Sequence, residues 1–444
     1  LFDFNPPFAQ AFGFSEIRQS AQASEDMADQ FLPQTIEMAL SVISSQISQS
    51  AAAERVPLSK SGGRVLARDV HSPKNVPEHP LSAMDGYAFS LGSLNKTPGE
   101  KPYTLKVTGR SLAGHPLQDD PDPTGCIRIF TGAQVPGCCD VVIPQERVTL
   151  DEATATITFG LEGLVPLLNI RRAGEDIAAG AVALRAGTRI SAQALALLAS
   201  IGVAEVDVMQ PIRVAVISTG DEVTDPGSPL VAGKIYDANR PMLLELIREY
   251  GALAIDLGIV PDDPVSLRDS IQHAAALADA IITSGGVSVG EADHTRATMQ
   301  SLGEIAFWKL AIKPGRPLAA GWVWDSNHVK RIPFFGLPGN PVAAFVTFQG
   351  IVGPCLQQLA GATPVSKPIV RARLTRATKK IPGRTEFLRC TLSRDDSGEW
   401  LAEIAASQGA ASLKSLVDAD GLAVLPHASG PLSAGDVVDV MMLR

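Results

Sequence analysis

The chain reads as a multidomain α/β plus β protein, with a doubly wound α/β domain set among β-rich segments. Three features predict this. From Pro211 to Gly361 continuous apolar runs alternate with capped helical stretches. From about 80 to 168 the apolar runs are short and punctuated by Gly, Pro and Asp, and after Gly361 short strands return. At 444 residues the chain has room for roughly two to four separate cores.

Residues 1–30 are rich in Gln, Ala and Ser without a sustained period, and are read as a disordered leader or tail. Leu32, Ile36, Leu40, Ile43 and Ile47 then recur at helical spacing, predicting an amphipathic helix over 34–52, with a second short helix over 61–68. The runs YTLKV, CIRIF, DVVIP and TATITF make 80–168 a β domain. SAQALALLASIG, at 191–202, is helical again, with Ser191 as N-cap and Gly202 as stop. Paired with the N-terminal helix, it makes 31–79 and 169–210 a split helical domain into which the β domain is inserted.

Over 211–361 IRVAVIS is a buried strand, NRPMLLELIREYG a helix with Asn239 as cap, and LAIDLGIV a strand. DDPVSLRDSIQHAAALAD is a helix opened by Asp263 and Pro264, AIIT a strand, and GNPVAAFVTFQGIVGPCLQQLAG a long helix started by Asn340 and Pro341. Apolar strands alternating with helices imply a parallel sheet covered on both faces, so a ligand belongs at the carboxyl ends of the strands. RARLTRAT, EFLRCTL, WLAEIAA, LAVLP and VVDVMML give a C-terminal β domain over 362–444.

Composition narrows the function. A formal net charge of −9 argues against general nucleic-acid binding, because no overall basic field would replace counterions on phosphates. No run approaches the roughly 18 to 20 uninterrupted apolar residues of a membrane helix, so no membrane association and a cytoplasmic location are expected. The five cysteines are scattered with no zinc spacing, and read as small buried thiols.

Three strand ends carry the chemistry. ISTGDE (217–222) turns at Gly220 and projects Asp221 and Glu222. ITSGGVSVGEAD (282–293) offers Gly285 and Gly286 as an anion cradle, and FGLPGNP (335–341) is a proline-braced turn into a helix N-terminus. FWKLAIKPGRP (307–317) adds Lys309, Lys313 and Arg316 on a loop stiffened by Pro314 and Pro317. Carboxylates beside an anion site repel a phosphate unless a divalent cation lies between them, and Mg2+ takes oxygen ligands from both. On chemistry alone SAMDGYAF (82–89), with Asp85, reads as a strand-opening turn, and RRAGEDI (171–177) as a surface loop of local ion pairs.

Together, and in this order, SAMDGYA, RRAGEDI, STGDE, IYDANRP, ITSGGVSVGEAD, FWKLAIKPGRP and FGLPGNPV resemble the molybdopterin molybdotransferases, bacterial MoeA and the gephyrin E domain, from about Leu32 to the C-terminus. The resemblance implies an L-shaped subunit of four domains. It also implies a homodimer whose active site lies between the α/β domain of one subunit and the inserted β domain of the other. The implied reaction takes adenylylated molybdopterin and molybdate, inserts the metal into the dithiolene and releases AMP. Since the substrate brings the sulfurs, no cysteine ligand is needed.

Carried over residue by residue, Asp85, Asp176, Glu222, Asp262 and Asp293 form the acidic set, with Glu222, Asp262 and Asp293 holding Mg2+. Lys309, Lys313 and Arg316 hold the anion, Thr131 contacts substrate, and Ser284, Gly285, Gly286, Pro338 and Pro341 shape the pocket loops. Three departures stand out. Arg316 replaces the lysine of many bacterial relatives, His294 replaces a tyrosine, and SQGAASLKSL (407–416) fits the family's substrate-side segment only loosely, leaving Ser407 and Ser412 without an assigned role. Contact with other proteins of the pathway is a further implication.

Two alternatives remain open on the sequence. One is the adenylyltransferase of the preceding step, whose turn reads TSGGTG and which lacks the extra domains. The other is a dimeric scaffold of the gephyrin type, which could lose the charged set without cost.

Overall fold

In the computed structural model the described residues are 33–47, 51–94, 102–117, 121–286, 294–325 and 327–443. The expected leader at 1–30, the acidic end of the ITSGGVSVGEAD loop and Asp293 lie outside them. The chain forms two compact units. The first comprises residues up to Glu54, Gly63–Ala67 and Val208 onward; the second comprises Arg55–Gly62 and Arg68–Asp207.

In the first unit the strand order is Leu253–Val260, Arg213–Thr219, Ala280–Ser284, Arg331–Leu337, Pro317–Trp324 and Gly303–Lys309. The first four strands run parallel, and Pro317–Trp324 is antiparallel to both of its neighbours. Side chains alternate between two cores along the central strand: Val214 and Val216 face one, Ala215 and Ile217 the other. Helix Asn239–Glu249 packs on the first face and Pro264–Leu277 on the second. The chain therefore reverses its winding between Arg213–Thr219 and Ala280–Ser284, and a crevice opens there at their carboxyl ends.

Local signals hold at most helix starts. Ser191 accepts from the Ala194 N–H at 3.2 Å, and Asp263 accepts from Val265 and Ser266 at 3.0 and 2.9 Å. At Asn239 the expectation fails. The helix begins there, Asp237 takes over the capping bond by accepting the Arg240 N–H at 3.0 Å, and the Asn239 amide is left for other work.

The N-terminal helix is Ile36–Ser44, shorter than 34–52, with Thr35 as cap. Its apolar face joins the main core of the first unit, beside Ile351, Val352, Cys355 and Leu356, whereas Ala192–Ser200 is part of the second unit. The helix expected over 61–68 is absent: the segment is a turn at Gly62 and Gly63, with Leu66 bridged to Val208. Paired glycines, one at φ +75°, cost more helix than the apolar spacing contributes.

The long helix after Pro341 has three parts, Pro341–Thr347, a π turn over Phe348–Val352 and Gly353–Leu359. Pro354 explains the wide turn: it has no N–H to donate, and its ring would crowd the Gly350 carbonyl in a straight helix. The Gly353 N–H bonds the Phe348 carbonyl instead. Over Pro341–Leu359 this helix has the length and hydropathy of a membrane span, yet 78% of it is buried inside the protein, as a core helix would be.

The C-terminal strands close on themselves. Thr385–Arg394, Trp400–Ile404, Ile369–Leu374, Val437–Met442 and Gly421–Leu425 pair in sequence, and Gly421–Leu425 returns to Thr385–Arg394, making a five-stranded barrel. Ile312–Lys313 adds to its edge, with Lys313 in register with Glu386. In the second unit a six-stranded sheet runs Val141–Pro144, Gly86–Phe89, Cys126–Ile129, Tyr103–Ser111, Thr156–Phe159, Thr149–Asp151.

Candidate active site

The crevice at the winding reversal is a pocket of about 610 Å3. Its lining includes Gly220, Glu222, Asp262, Gly285, Gly286, Lys313, Arg316 and Pro338, so most of the residues singled out in the α/β segment converge on one place.

Each wall has a physical cause. Strand Arg213–Thr219 ends at Gly220, whose φ of +137° excludes most side chains; a Cβ there would meet Glu222 Oε2 at 2.7 Å, so the carboxylate folds back over the glycine. Asp262 follows strand Leu253–Val260, and its N–H reaches Asp221 Oδ1 at 3.3 Å. Strand Ala280–Ser284 ends in Gly285 and Gly286, both at positive φ, with the Gly285 N–H bonded to the Leu337 carbonyl at 3.1 Å. Ser284 is buried beneath this turn. It accepts from Asn239 Nδ2 at 2.7 Å, and the same amide donates to the Gly339 carbonyl at 2.8 Å. Asn239 thus ties the TSGG and LPGNP loops together. Pro341 starts the helix behind Gly339 and Asn340.

Beside these loops, Ser218 Oγ, Thr219 Oγ1, Thr283 Oγ1 and Thr295 Oγ1 are buried with no hydrogen-bond partner among the described residues. Buried hydroxyls of this kind are what a polar ligand or ordered water satisfies.

The cations come from two sources. Lys313 and Arg316 flank Gly315, whose φ of +105° and close approach to Thr347 pin the loop to the helix after Pro341. Lys313 Nζ lies 3.1 Å from Glu386 Oε2, and Glu386 is only 2% exposed. Arg384, Gln408 and Ala410 of the C-terminal barrel complete the lining. Of the cations expected from the sequence, Lys309 does not line the pocket: it ends the edge strand, where its carbonyl accepts from Gln34 at 3.0 Å.

Sequence reasoning missed Asn239 as a loop tie, Arg384, Gln408 and Ala410. The available signals were the Pro382-Gly383 turn before Arg384 and the SQGAAS segment.

Asp85, Thr131 and Asp176 belong to the second unit. Asp85 Oδ1 accepts both the Thr131 N–H and its hydroxyl, each at 2.8 Å, and these two bonds, the backbone one first, hold the carboxyl below its usual range. Asp176 pairs with Arg171 Nη2 at 2.6 Å, while Glu175 takes Arg171 Nε and the Arg172 N–H, the local ion pairs expected of that loop. Thr131→Ala removes one of the two donors, so the Asp85 pKa should rise toward its ordinary value, as followed by NMR titration of its carboxyl carbon. An unchanged titration would mean that the hydroxyl bond is not held in solution. Because the native pKa is the lower one, the bond stabilises the fold above the unfolded carboxyl pKa, and that contribution disappears as pH falls through the native value.

Known proteins match along nearly the whole of this architecture. Residues 34–202 match the MoeA N-terminal region (domain I and II), 215–358 a probable molybdopterin binding domain, and 371–443 the MoeA C-terminal region (domain IV). A molybdopterin molybdenumtransferase of Haemophilus influenzae is 40% identical over 407 residues, covering 91% of this chain and 98% of that protein. Gephyrin of Dictyostelium discoideum is 31% identical, covering 88% of this chain and 59% of its own length. The crystal structure of the molybdopterin biosynthesis MoeA protein from Pyrococcus horikoshii superposes with a TM-score of 0.78 at 26% identity, covering 93% of this chain and all of that one. With three consecutive domain matches and a full-length relative at this identity, the chain belongs to the MoeA family of molybdopterin molybdenumtransferases.

Proposed function

We propose that this protein inserts molybdenum from molybdate into adenylylated molybdopterin, releasing AMP and forming molybdenum cofactor. The observation that carries the reading is the charge pattern of the pocket: Lys313, Arg316 and Arg384 share one cavity with Glu222 and Asp262, beside two glycine turns. Opening a phosphoanhydride depends on positioned charge more than on covalent participation. Lys313, Arg316 and Arg384 supply that charge for the phosphates and the oxyanion, and Gly285 and Gly286 let backbone come close to them. The five free cysteines, three of them buried, supply no ligand set and suit a reducing, cytoplasmic setting.

Mg2+ is part of the same proposal. Among the described residues no group of three or more His, Cys, Asp and Glu is placed to hold a metal. Mg2+ needs only one or two carboxylates when substrate phosphates complete its shell, and Glu222 and Asp262 both line the pocket, so the residues fit. Bound there, Mg2+ supplies charge neutralisation at the phosphate oxygens. Asp293, the third expected ligand, lies outside the described residues.

A homodimer in which a second subunit contributes Asp85, Thr131 and Asp176 completes the reading. The test is AMP release from adenylylated molybdopterin, with Mg2+ and with or without molybdate. Molybdate-dependent release with active cofactor is expected, and Glu222→Gln should lower it by about 10²-fold, the scale of losing one electrostatic contact. Mixing Glu222→Gln with Asp85→Asn subunits should restore part of the activity, because a shared site leaves one intact copy per mixed dimer; no restoration removes the dimer from the proposal. Consumption of ATP and free molybdopterin would favour the adenylyltransferase, and no turnover of either substrate the scaffold.

A further inference from the structure

Two charged side chains beside the pocket are almost wholly buried and line no part of it: Glu386 at 2% and Lys380 at 3% exposure. Buried charges are costly unless paired, so each needs an account. Glu386 is the second residue of strand Thr385–Arg394, directly in register with Lys313, and its carboxylate holds Lys313 Nζ at 3.1 Å. Lys380 Nζ donates to the Arg384 carbonyl at 2.7 Å and to the Ile381 carbonyl at 3.3 Å, closing the turn that carries Arg384 into the pocket lining. Burial lowers the Lys380 pKa; Glu386 opposes that shift, and Arg384 and Lys313 add to it. One buried carboxylate therefore stands among Lys313, Lys380 and Arg384, two of which face the cavity.

We propose that Glu386 and Lys380 are positioning residues that set the two cationic arms of the pocket, Lys313 and Arg384, so that oxyanion affinity depends on side chains that never touch the oxyanion. The barrel is then part of the binding device and not only its support. Without the carboxylate, Lys313 loses its tether while Lys380 remains buried without a counter-charge. Without Lys380, two carbonyls lose a donor and the Arg384 turn is free to open. The proposal rests on reading the pocket as an oxyanion site.

The test is a pair of double-mutant cycles on the full chain, with affinity for inorganic pyrophosphate and for molybdate measured by calorimetry and folding checked by circular dichroism. Lys380→Met and Arg384→Ala should each weaken pyrophosphate binding about tenfold, and the double variant should bind no more weakly than Arg384→Ala alone, within about twofold. The cycle of Glu386→Gln with Lys313→Ala should behave the same way. Losses that multiply, or single variants that bind like the parent, would overturn the proposal, since a merely structural role does not make the effects redundant. If Lys380→Met fails to fold, the Glu386 cycle decides alone. A parent protein that binds neither anion defeats both this inference and the proposed function, whereas intact anion binding with no molybdenum insertion defeats only the latter.

Discussion

Gly286→Ala is expected to reduce molybdenum insertion by about 10²-fold, the usual penalty for moving a binding loop by about 1 Å, and to destabilise the fold by about 1–3 kcal/mol. Gly286 has a φ of +65°, and a Cβ there would lie 2.5 Å from Thr295 Oγ1 and 3.0 Å from Thr219 Oγ1. Neither threonine can yield easily, being 1% and 4% exposed respectively. The turn itself must move, and with it the backbone that faces the pocket. Turnover and thermal melting measured together check this; a variant with parental turnover would show that the turn tolerates displacement and does not closely approach the substrate.

Arg389→Leu should cost about 2–4 kcal/mol of stability, because three hydrogen bonds donated by one buried guanidinium are lost at once. Arg389 is fully buried, the largest such side chain among the described residues, and its guanidinium donates to the Ser407 and Gly409 carbonyls at 3.0 Å each and to Ser415 Oγ at 3.1 Å. Leucine replaces none of these donors. The bonded segment carries Gln408 and Ala410 into the pocket, so the loss should appear twice, as a lower melting temperature and as faster amide exchange over 405–412. Unchanged exchange there would mean that the segment is held by the Val342 N–H bond to the Ala410 carbonyl instead.

What the sequence disclosed was local. Ser191 and Asp263 announce helix starts because a cap acts within one turn, and the glycine loops are visible because positive φ demands glycine wherever it occurs. The destination of an element is not local. The spacing of Ile36, Leu40 and Ile43 says that a helix has a buried face, but says nothing of which core receives it, and here it is the α/β core. Closure of the barrel depends on Gly421–Leu425 returning to Thr385–Arg394, a pairing that no short window contains. Arg384 was overlooked for the same reason: it meets Lys313 and Arg316 only because a barrel edge pairs with a two-residue strand some seventy positions earlier. Asn239 fits the pattern of a cap and is instead a strut, a choice settled by Asp237 standing two residues before it.

The π turn at Phe348–Val352 bears on how this chain can change over time. A residue of α-helix advances the azimuth by about 100°, so a wide turn that takes up one extra residue resets the phase of everything after it. That is the phase at which Cys355, Leu356 and Leu359 enter the same core as Val342 and Val346. Pro354 and the wide turn are consequently coupled: a single-residue deletion that straightened the helix would leave the proline without its gap, and replacing the proline alone would leave the extra residue in place. A shorter, straight helix that keeps both groups of side chains in one core therefore requires the two changes together.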